Sequence, residues 1–200
     1  GPEEGKSYVY VGEIGDNASR YEYKYLYRIE EPVIPEGSSV VDTTLSNVDS
    51  IKFTLQGGPR DTEAVIVDPL TRDIYIFSKN EKKRIRMFRL PYPQSVTEVT
   101  QAEYVMSLPI VKVCAADISP DGEEILIKNY THVYYWRRQG NESIQETLEQ
   151  EPFSLPYTTE PQGEAITFDR DGKGYYTLSE ENNHKKPYLL FYQRKKTEGN

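Results

Sequence analysis

Residues Glu63–Lys79 read EAVIVDPLTRDIYIFSK, residues Glu164–Glu180 read EAITFDRDGKGYYTLSE, and between them Ala116–Tyr130 read ADISPDGEEILIKNY. All three share one grammar: an acidic or small start, a short apolar run, a turn of Pro, Asp or Gly, and then an alternating strand. The second strands begin at Ile74, Ile125 and Tyr175, so the unit recurs after 51 and then 50 residues. A fixed period of this size is the mark of repeat architectures. The turns have a mechanism: Pro69 and Pro120 preset φ, the aspartates accept hydrogen bonds from nearby backbone, and Gly122 and Gly172 tolerate positive φ. Each therefore closes a hairpin.

Working outward, a third strand follows each second one (84–90, 132–138 and 187–194), and a fourth follows the first two of those (102–108 and 152–155). Four antiparallel strands in about fifty residues is the arithmetic of a propeller blade. The N-terminal part fits the same frame when entered late, with SYVYVGEIGDN as a second strand, YKYLYRIEEP as a third and SIKFTLQGG as a fourth. The pattern predicts an all-β propeller portion of about four antiparallel four-stranded blades, spanning 1–58, 59–110, 111–158 and 159–200. The first blade lacks its inner strand and the last its outer strand, fourteen strands in all. A short helical turn is expected within 142–150. The rival reading is a β-sandwich, whose turn signals also recur every ~8–12 residues.

Composition agrees. The chain has 200 residues, 36% of them hydrophobic, enough for a core; Tyr makes up 17 of 24 aromatics, the residue of strand surfaces with one wet side. The net charge of −8 argues against a nucleic-acid or anionic-membrane partner. No stretch approaches the ~18 apolar residues of a membrane-spanning helix, so no membrane insertion is expected. A single cysteine and two histidines exclude a disulfide framework and Cys- or His-based metal clusters. No nucleophile elbow, P-loop or zincin motif occurs.

The run YVGEIGDN, then LYRIEEP, EAVIVDP, DISPDGEEILIKNYTHVYYW and PQGEAITF with YYTLSE resembles a family of secreted β-propeller proteins of bacteria and invertebrate animals. The resemblance covers essentially the whole chain and implies that further blades precede this segment. The acidic starts and Ser-Glu strand ends are more distantly similar to phytase-like and esterase-like propellers.

Blade geometry then sorts the polar residues. Loops entering first strands and loops leaving second strands share one face, around the central pore. That face should gather Asp16, Asn17, Arg60, Asp61, Lys79, Asp117, Lys128 and Glu180 as ligand-binding residues, with the run through Asn80, and Glu63 and Glu164 as metal ligands. Calcium takes six to eight oxygens at flexible geometry and suits such a ring. The alternative is a salt-bridged mouth in which Arg60, Lys79 and Lys128 neutralise the acids without any ligand. His132 reads as a solvated turn residue, His184 as an exposed loop residue and Cys114 as a buried small hydrophobe.

Three sequons, at Asn17, Asn129 and Asn141, point to secretion, and Asn141 beside Gly140 is the best glycan acceptor. The function favoured is a secreted binding module that presents this polar face to a protein or glycan, or to the missing blades of a parent propeller, with a metal-assisted hydrolase left open. The alternative is a calcium-dependent phosphoesterase or esterase acting at the same mouth, with Arg60, Lys79 or Lys128 neutralising the developing anion.

Overall fold

The computed structural model describes residues 1–34, 36–37, 40–79, 81–182 and 186–195; Asn80 and His184 lie outside the described residues. Fourteen strands form in blade order among them: β1 (Tyr8–Glu13), β2 (Lys24–Glu30) and β3 (Val48–Leu55); β4 (Thr62–Val67), β5 (Ile74–Ser78), β6 (Ile85–Leu90) and β7 (Thr100–Leu108); β8 (Val113–Ile118), β9 (Glu124–Asn129), β10 (Val133–Arg137) and β11 (Phe153–Leu155); β12 (Gly163–Phe168), β13 (Gly174–Ser179) and β14 (Leu190–Gln193). The fold is all-β, and within each blade consecutive strands pair antiparallel. One helix, α1 (Ile144–Glu149), sits between β10 and β11. Ser143 and Glu146 cap it reciprocally, and Ile144 and Leu148 pin it to the core. No helix among the described residues is long and apolar enough to cross a membrane.

The turns behave as their residues dictate. Gly122 adopts φ +75° in the β8–β9 hairpin, and Gly172 adopts +68° in the β12–β13 hairpin. In the β4–β5 hairpin a non-glycine, Arg72, takes the left-handed conformation at φ 64°. Asp68 holds that turn by accepting from Leu70 N and Thr71 Oγ1.

Three apolar clusters fill the seams. One lies between blades 1 and 2 around Ile51, Phe53 and Phe88, and one between blades 2 and 3 around Phe77, Ile125 and Trp136. The third lies between blades 3 and 4 around Leu126, Ile166 and Tyr175. Alternation in the strands therefore buries one face of each blade against the next. Blades 1 and 2 are not separate sheets. Their outer strands β3 and β7 pair in parallel over Phe53–Leu55 and Thr100–Ala102, giving one seven-stranded sheet. Phe53, Leu55 and Ala102 belong to the same buried cluster, which draws the two edges together. Beyond that pairing, Gln56 N donates to Ala102 O and Gln56 Oε1 accepts from Tyr104 N.

The face away from the strand entries is tied by charge. Asp68 of blade 2 takes both terminal nitrogens of Arg138 of blade 3, at 2.9 and 3.3 Å, with both side chains almost wholly buried. Glu124 of blade 3 holds Arg194 of blade 4 in the same bidentate way at 2.6 and 2.9 Å.

Candidate functional site

Each inner strand carries the same defect. The register slips between Thr62 and Ala64 in β4, between Val113 and Ala115 in β8, and between Gly163 and Ala165 in β12. Such a bulge re-aims one side chain. The three bulged residues are Glu63, Cys114 and Glu164. The residues that follow the second strands occupy a second equivalent set: Lys79, Tyr130 and Glu180. These two sets of repeat-equivalent positions lie side by side at the end of the blades where the first strands enter, the mouth.

Their side chains meet across blades. The Lys79 ammonium lies 3.4 Å from Glu63 Oε1 and 3.6 Å from Glu164 Oε1, bridging blades 2 and 4. From blade 3, the Tyr130 hydroxyl donates a short hydrogen bond to Glu164, and its ring centroid lies 5.4 Å from the Lys79 nitrogen. Blade 1 closes the fourth side with Gly15, where an added Cβ would lie 3.9 Å from Glu63 Oε1. Burial raises the Glu63 pKa, and Lys79 only partly offsets it. Burial also works against the Lys79 ammonium, but Tyr130, Glu63 and Glu164 outweigh it and hold its pKa above the ordinary lysine value. Burial and the Glu164 carboxylate raise the Tyr130 hydroxyl.

The remaining residues singled out in the sequence scatter around this centre. Asp16 is buried and committed: it accepts from Arg20 N, Tyr21 N and Lys24 Nζ, while its own N–H donates to Asp61 Oδ1 at 2.8 Å. Asn17 is exposed beside it. Arg60 pairs with Glu81 at 3.2 Å and donates to Gly57 O. Asp61 is buried, and its carbonyl receives Lys79 N. Glu180 accepts from Gln162 Nε2 at 2.7 Å. Lys128 points away from solvent, fully buried, and donates to Gly163 O and Asn129 O.

Asp117 does not reach the mouth. It pairs in register with Leu126, well down β8, and accepts from Phe168 N and Thr167 Oγ1 of blade 4. Strand register explains the displacement: the true counterpart of Glu63 and Glu164 in blade 3 is Cys114, three residues earlier. Residues that sequence reading passed over are Tyr130, Glu160 and Gly163. Tyr130 follows the Asn129 turn and is findable only by aligning strand ends across repeats. At Gly163 an added Cβ would come within 2.5 Å of Tyr157 Oη and 2.6 Å of Glu160 Oε2, so the ends of both side chains would have to shift.

Cys114 is buried beside Gly163 O at 3.4 Å, and burial pushes its thiol up to about 11. His132 is exposed, bonded to the Thr131 hydroxyl and stacked on Tyr134. Of the sequons, Asn129 is spent: its Oδ1 caps Thr131 N and His132 N, and its Nδ2 donates to Val111 O. Asn141 is exposed. Among the described residues no group of three His, Cys, Asp or Glu side chains gathers at metal-ligand spacing. A cleft of 390 Å³ lies on blade 1, lined by Glu13, Gly15, Tyr21, Glu22, Tyr23 and Lys24 among others.

No family model and no curated protein matches the sequence. The chain is similar in structure to the periplasmic gluconolactonase of Pseudomonas aeruginosa, at 12% identity and TM-score 0.51, over 96% of this chain and 56% of that one. It also matches the Dos1 propeller at 9% identity and TM-score 0.46, over 86% of this chain and 41% of that one. The chain thus spans about half the length of these two solved structures; at 12% identity the likeness to the gluconolactonase is one of fold alone, and the successive antiparallel blades make that fold a β-propeller.

Proposed function

We propose that the chain is a secreted binding propeller that takes a protein or glycan ligand at the pore mouth. The observation that carries this reading is the convergence of Glu63 and Lys79, Tyr130, and Glu164 from three successive blades on one cluster, through a bulge repeated in each inner strand. A rigid scaffold that aims polar groups from several blades at one point is built to present them. Hydrolysis is the less favoured reading, because Lys128, one of its intended cations, is fully buried and bound to backbone carbonyls. Calcium does not fit the mouth as it stands: Glu63 and Glu164 share the Lys79 ammonium, and a calcium shell needs more oxygens than these two carboxylates and Tyr130 offer. Secretion rests on the sequons, and Asn141 is the position offered for a glycan.

The test is to probe glycan and peptide arrays with the wild type, with Lys79→Met and Glu164→Gln, and with Arg137→Ala on the opposite face. Signals kept by Arg137→Ala and lost by the two mouth variants are expected. A wild type that marks no feature, or mouth variants that keep every signal, overturns the reading. Calcium titration of the melting temperature runs in parallel. A ligand of the folded state at about a hundred times its Kd adds roughly 2.7 kcal/mol, so a rise of that size in the wild type would restore calcium to the site.

A further inference from the structure

Blades 1 and 2 carry the same three-residue row on the face turned toward the following blade. Strand register sets Tyr10, Arg28 and Asp49 side by side across β1, β2 and β3, and Tyr75, Arg89 and Glu103 side by side across β5, β6 and β7. In blade 3 the equivalent row is Leu126, Tyr135 and Phe153, without a charge. The two charged rows end differently. Arg28 donates from Nε and Nη2 to Asp49 at 3.0 and 2.6 Å, and its side chain is 8% exposed. Arg89 donates to Glu103 from Nη2 alone, at 3.1 Å, with Nη1 3.7 Å from Asp73 Oδ2, and its side chain is 40% exposed. A row that is closed in one seam is open in the next.

The open row lines a cleft of 240 Å³ in the internal seam between blades 2 and 3. Tyr75, Arg89, Glu103 and Val105 of blade 2 form one wall, and Ser143 and Gln145, at the start of α1 in blade 3, form the other. Tyr75 is 5% exposed, and its hydroxyl makes no hydrogen bond among the described residues. A buried polar group left in this state is one that water or a ligand completes. Burial and the Asp73 and Asp68 carboxylates push its pKa up to about 12, so the hydroxyl keeps its proton and can donate as well as accept.

The charges select the ligand. Asp73 and Glu103 both flank the Arg89 guanidinium, so the cleft has no spare positive charge for an anion, and Arg89 itself repels a cation. Donors and acceptors nevertheless stand together: Arg89 retains unused N–H groups, Glu103 offers carboxylate oxygens, and Gln145, whose Nε2 donates to Glu149, keeps its side-chain carbonyl. Adjacent hydroxyls on a sugar ring, each able to donate and accept, match that alternation. The volume lies below the ~300–1,000 Å³ of drug-sized pockets and suits a single ring. We propose that this cleft binds one neutral sugar ring, with neighbouring hydroxyls donating to Glu103 and accepting from Arg89, and a further hydroxyl bonded to Tyr75 Oη. The site is separate from the mouth, because Tyr75 lies near the start of β5 and Lys79 follows its end.

Amide chemical shifts of the isotope-labelled protein, titrated with the methyl pyranosides of glucose, galactose and mannose into the millimolar range, test the proposal. At least one glycoside should move the amides of Tyr75, Arg89, Glu103 and Gln145 in a saturable way. Tyr75→Phe removes only the unpartnered hydroxyl and should fold as the wild type does; it and Arg89→Met should each weaken binding about tenfold. Lys79→Met should bind the glycoside as the wild type does, so this proposal and the reading of the mouth fail separately. A linked disaccharide that binds as well as its methyl monosaccharide identifies the ligand as a residue of a glycan, and one that does not bind identifies a free sugar; both uphold the site. Three glycosides that leave these amides unmoved, or shifts that survive both Tyr75→Phe and Arg89→Met, overturn the proposal. Inorganic phosphate that moves the same amides more strongly than any glycoside also overturns it, because the cleft is then an anion site.

Discussion

Lys24 in blade 1 and Lys128 in blade 3 are equally hidden, at 1% and 0% exposure, yet they are held by opposite means. Lys24 reaches Asp16 at 3.2 Å, and Asp16 also accepts the N–H groups of Arg20 and Tyr21. Lys128 has no carboxylate within ion-pair distance among the described residues. Its ammonium donates to the carbonyls of Gly163 and Asn129 and lies 4.5 Å from the Tyr157 ring centroid. It occupies the slot that Phe77 fills in blade 2 and Leu178 in blade 4. Burial and residue type are the same in the two regions, so the difference lies in the counter-charge. One lysine completes a polar loop; the other is a charge set into an apolar seam.

The sharpest way to break the comparison is at Asp16. Asp16→Ala strands the Lys24 ammonium without water and orphans two backbone N–H groups. Breaking a buried pair from one side costs about 3–5 kcal/mol, and the denaturation midpoint should fall by that loss divided by m, at an unchanged m-value. Burial pushes the Asp16 pKa up, but the N–H groups of Arg20 and Tyr21 and the Lys24 ammonium outweigh it, so the pKa is lowered overall. A carboxyl whose folded pKa lies below its unfolded value stabilises above the unfolded value and loses that stabilisation as pH falls through the folded one. The wild type should therefore lose stability below about pH 4 more steeply than Asp16→Ala does. Parallel slopes would mean that Asp16 has the same pKa folded and unfolded, and a shallower wild-type slope that its pKa is raised.

At Lys128 the sign reverses. Burial lowers the Lys128 pKa, with only partial relief from Cys114, Glu160 and Glu164, so the folded state holds the proton less tightly than the unfolded chain. The penalty is absent above the unfolded value of about 10.4 and grows as pH falls toward the folded value. Lys128→Met keeps the length of the stem and removes the charge, and should stabilise by about 1–3 kcal/mol at neutral pH. Its advantage over the wild type should shrink as pH rises toward 10. A destabilised Lys128→Met would show instead that the bond to Gly163 O, which fixes the bulge before Glu164, is worth more than the charge costs.

This contrast also marks where sequence reading stops. Blade boundaries were legible because hairpin turns and strand alternation are local, as in DPLTRD, SPDGEE and DRDGKG. Blade geometry placed Glu63, Lys79 and Glu164 on one face, and the three side chains do come together. Lys128 was placed at the same mouth because sequence gives position along a strand but not depth, and one residue of strand register turns a side chain from the pore into the seam. Asp117 was aligned with Glu63 by its acidity, whereas the hairpin register pairs Val113 with Asn129 as it pairs Thr62 with Ser78, and so makes Cys114, three residues earlier in VCAAD, the counterpart of Glu63. The parallel pairing of β3 with β7 left no local trace, being set by the shared core around Phe53 and Ala102.

Lys79 supplies the intermediate case and the smallest effect. It is paired, like Lys24, but its side chain is 13% exposed and its partners Glu63 and Glu164 are 26% and 24% exposed, so water screens the pairs. Ion pairs in such settings contribute about 0–1 kcal/mol, and Glu164→Gln should move the melting midpoint by no more than that, and by less still in high salt. Lys79→Met should cost somewhat more than Glu164→Gln, because it leaves two carboxylates facing each other, and the excess should fall as ionic strength rises. If Lys79→Met instead destabilises as strongly as Asp16→Ala and shows no salt dependence, the mouth is as dry as the Lys24 pocket. It would then be part of the core rather than a surface that presents charge to a ligand.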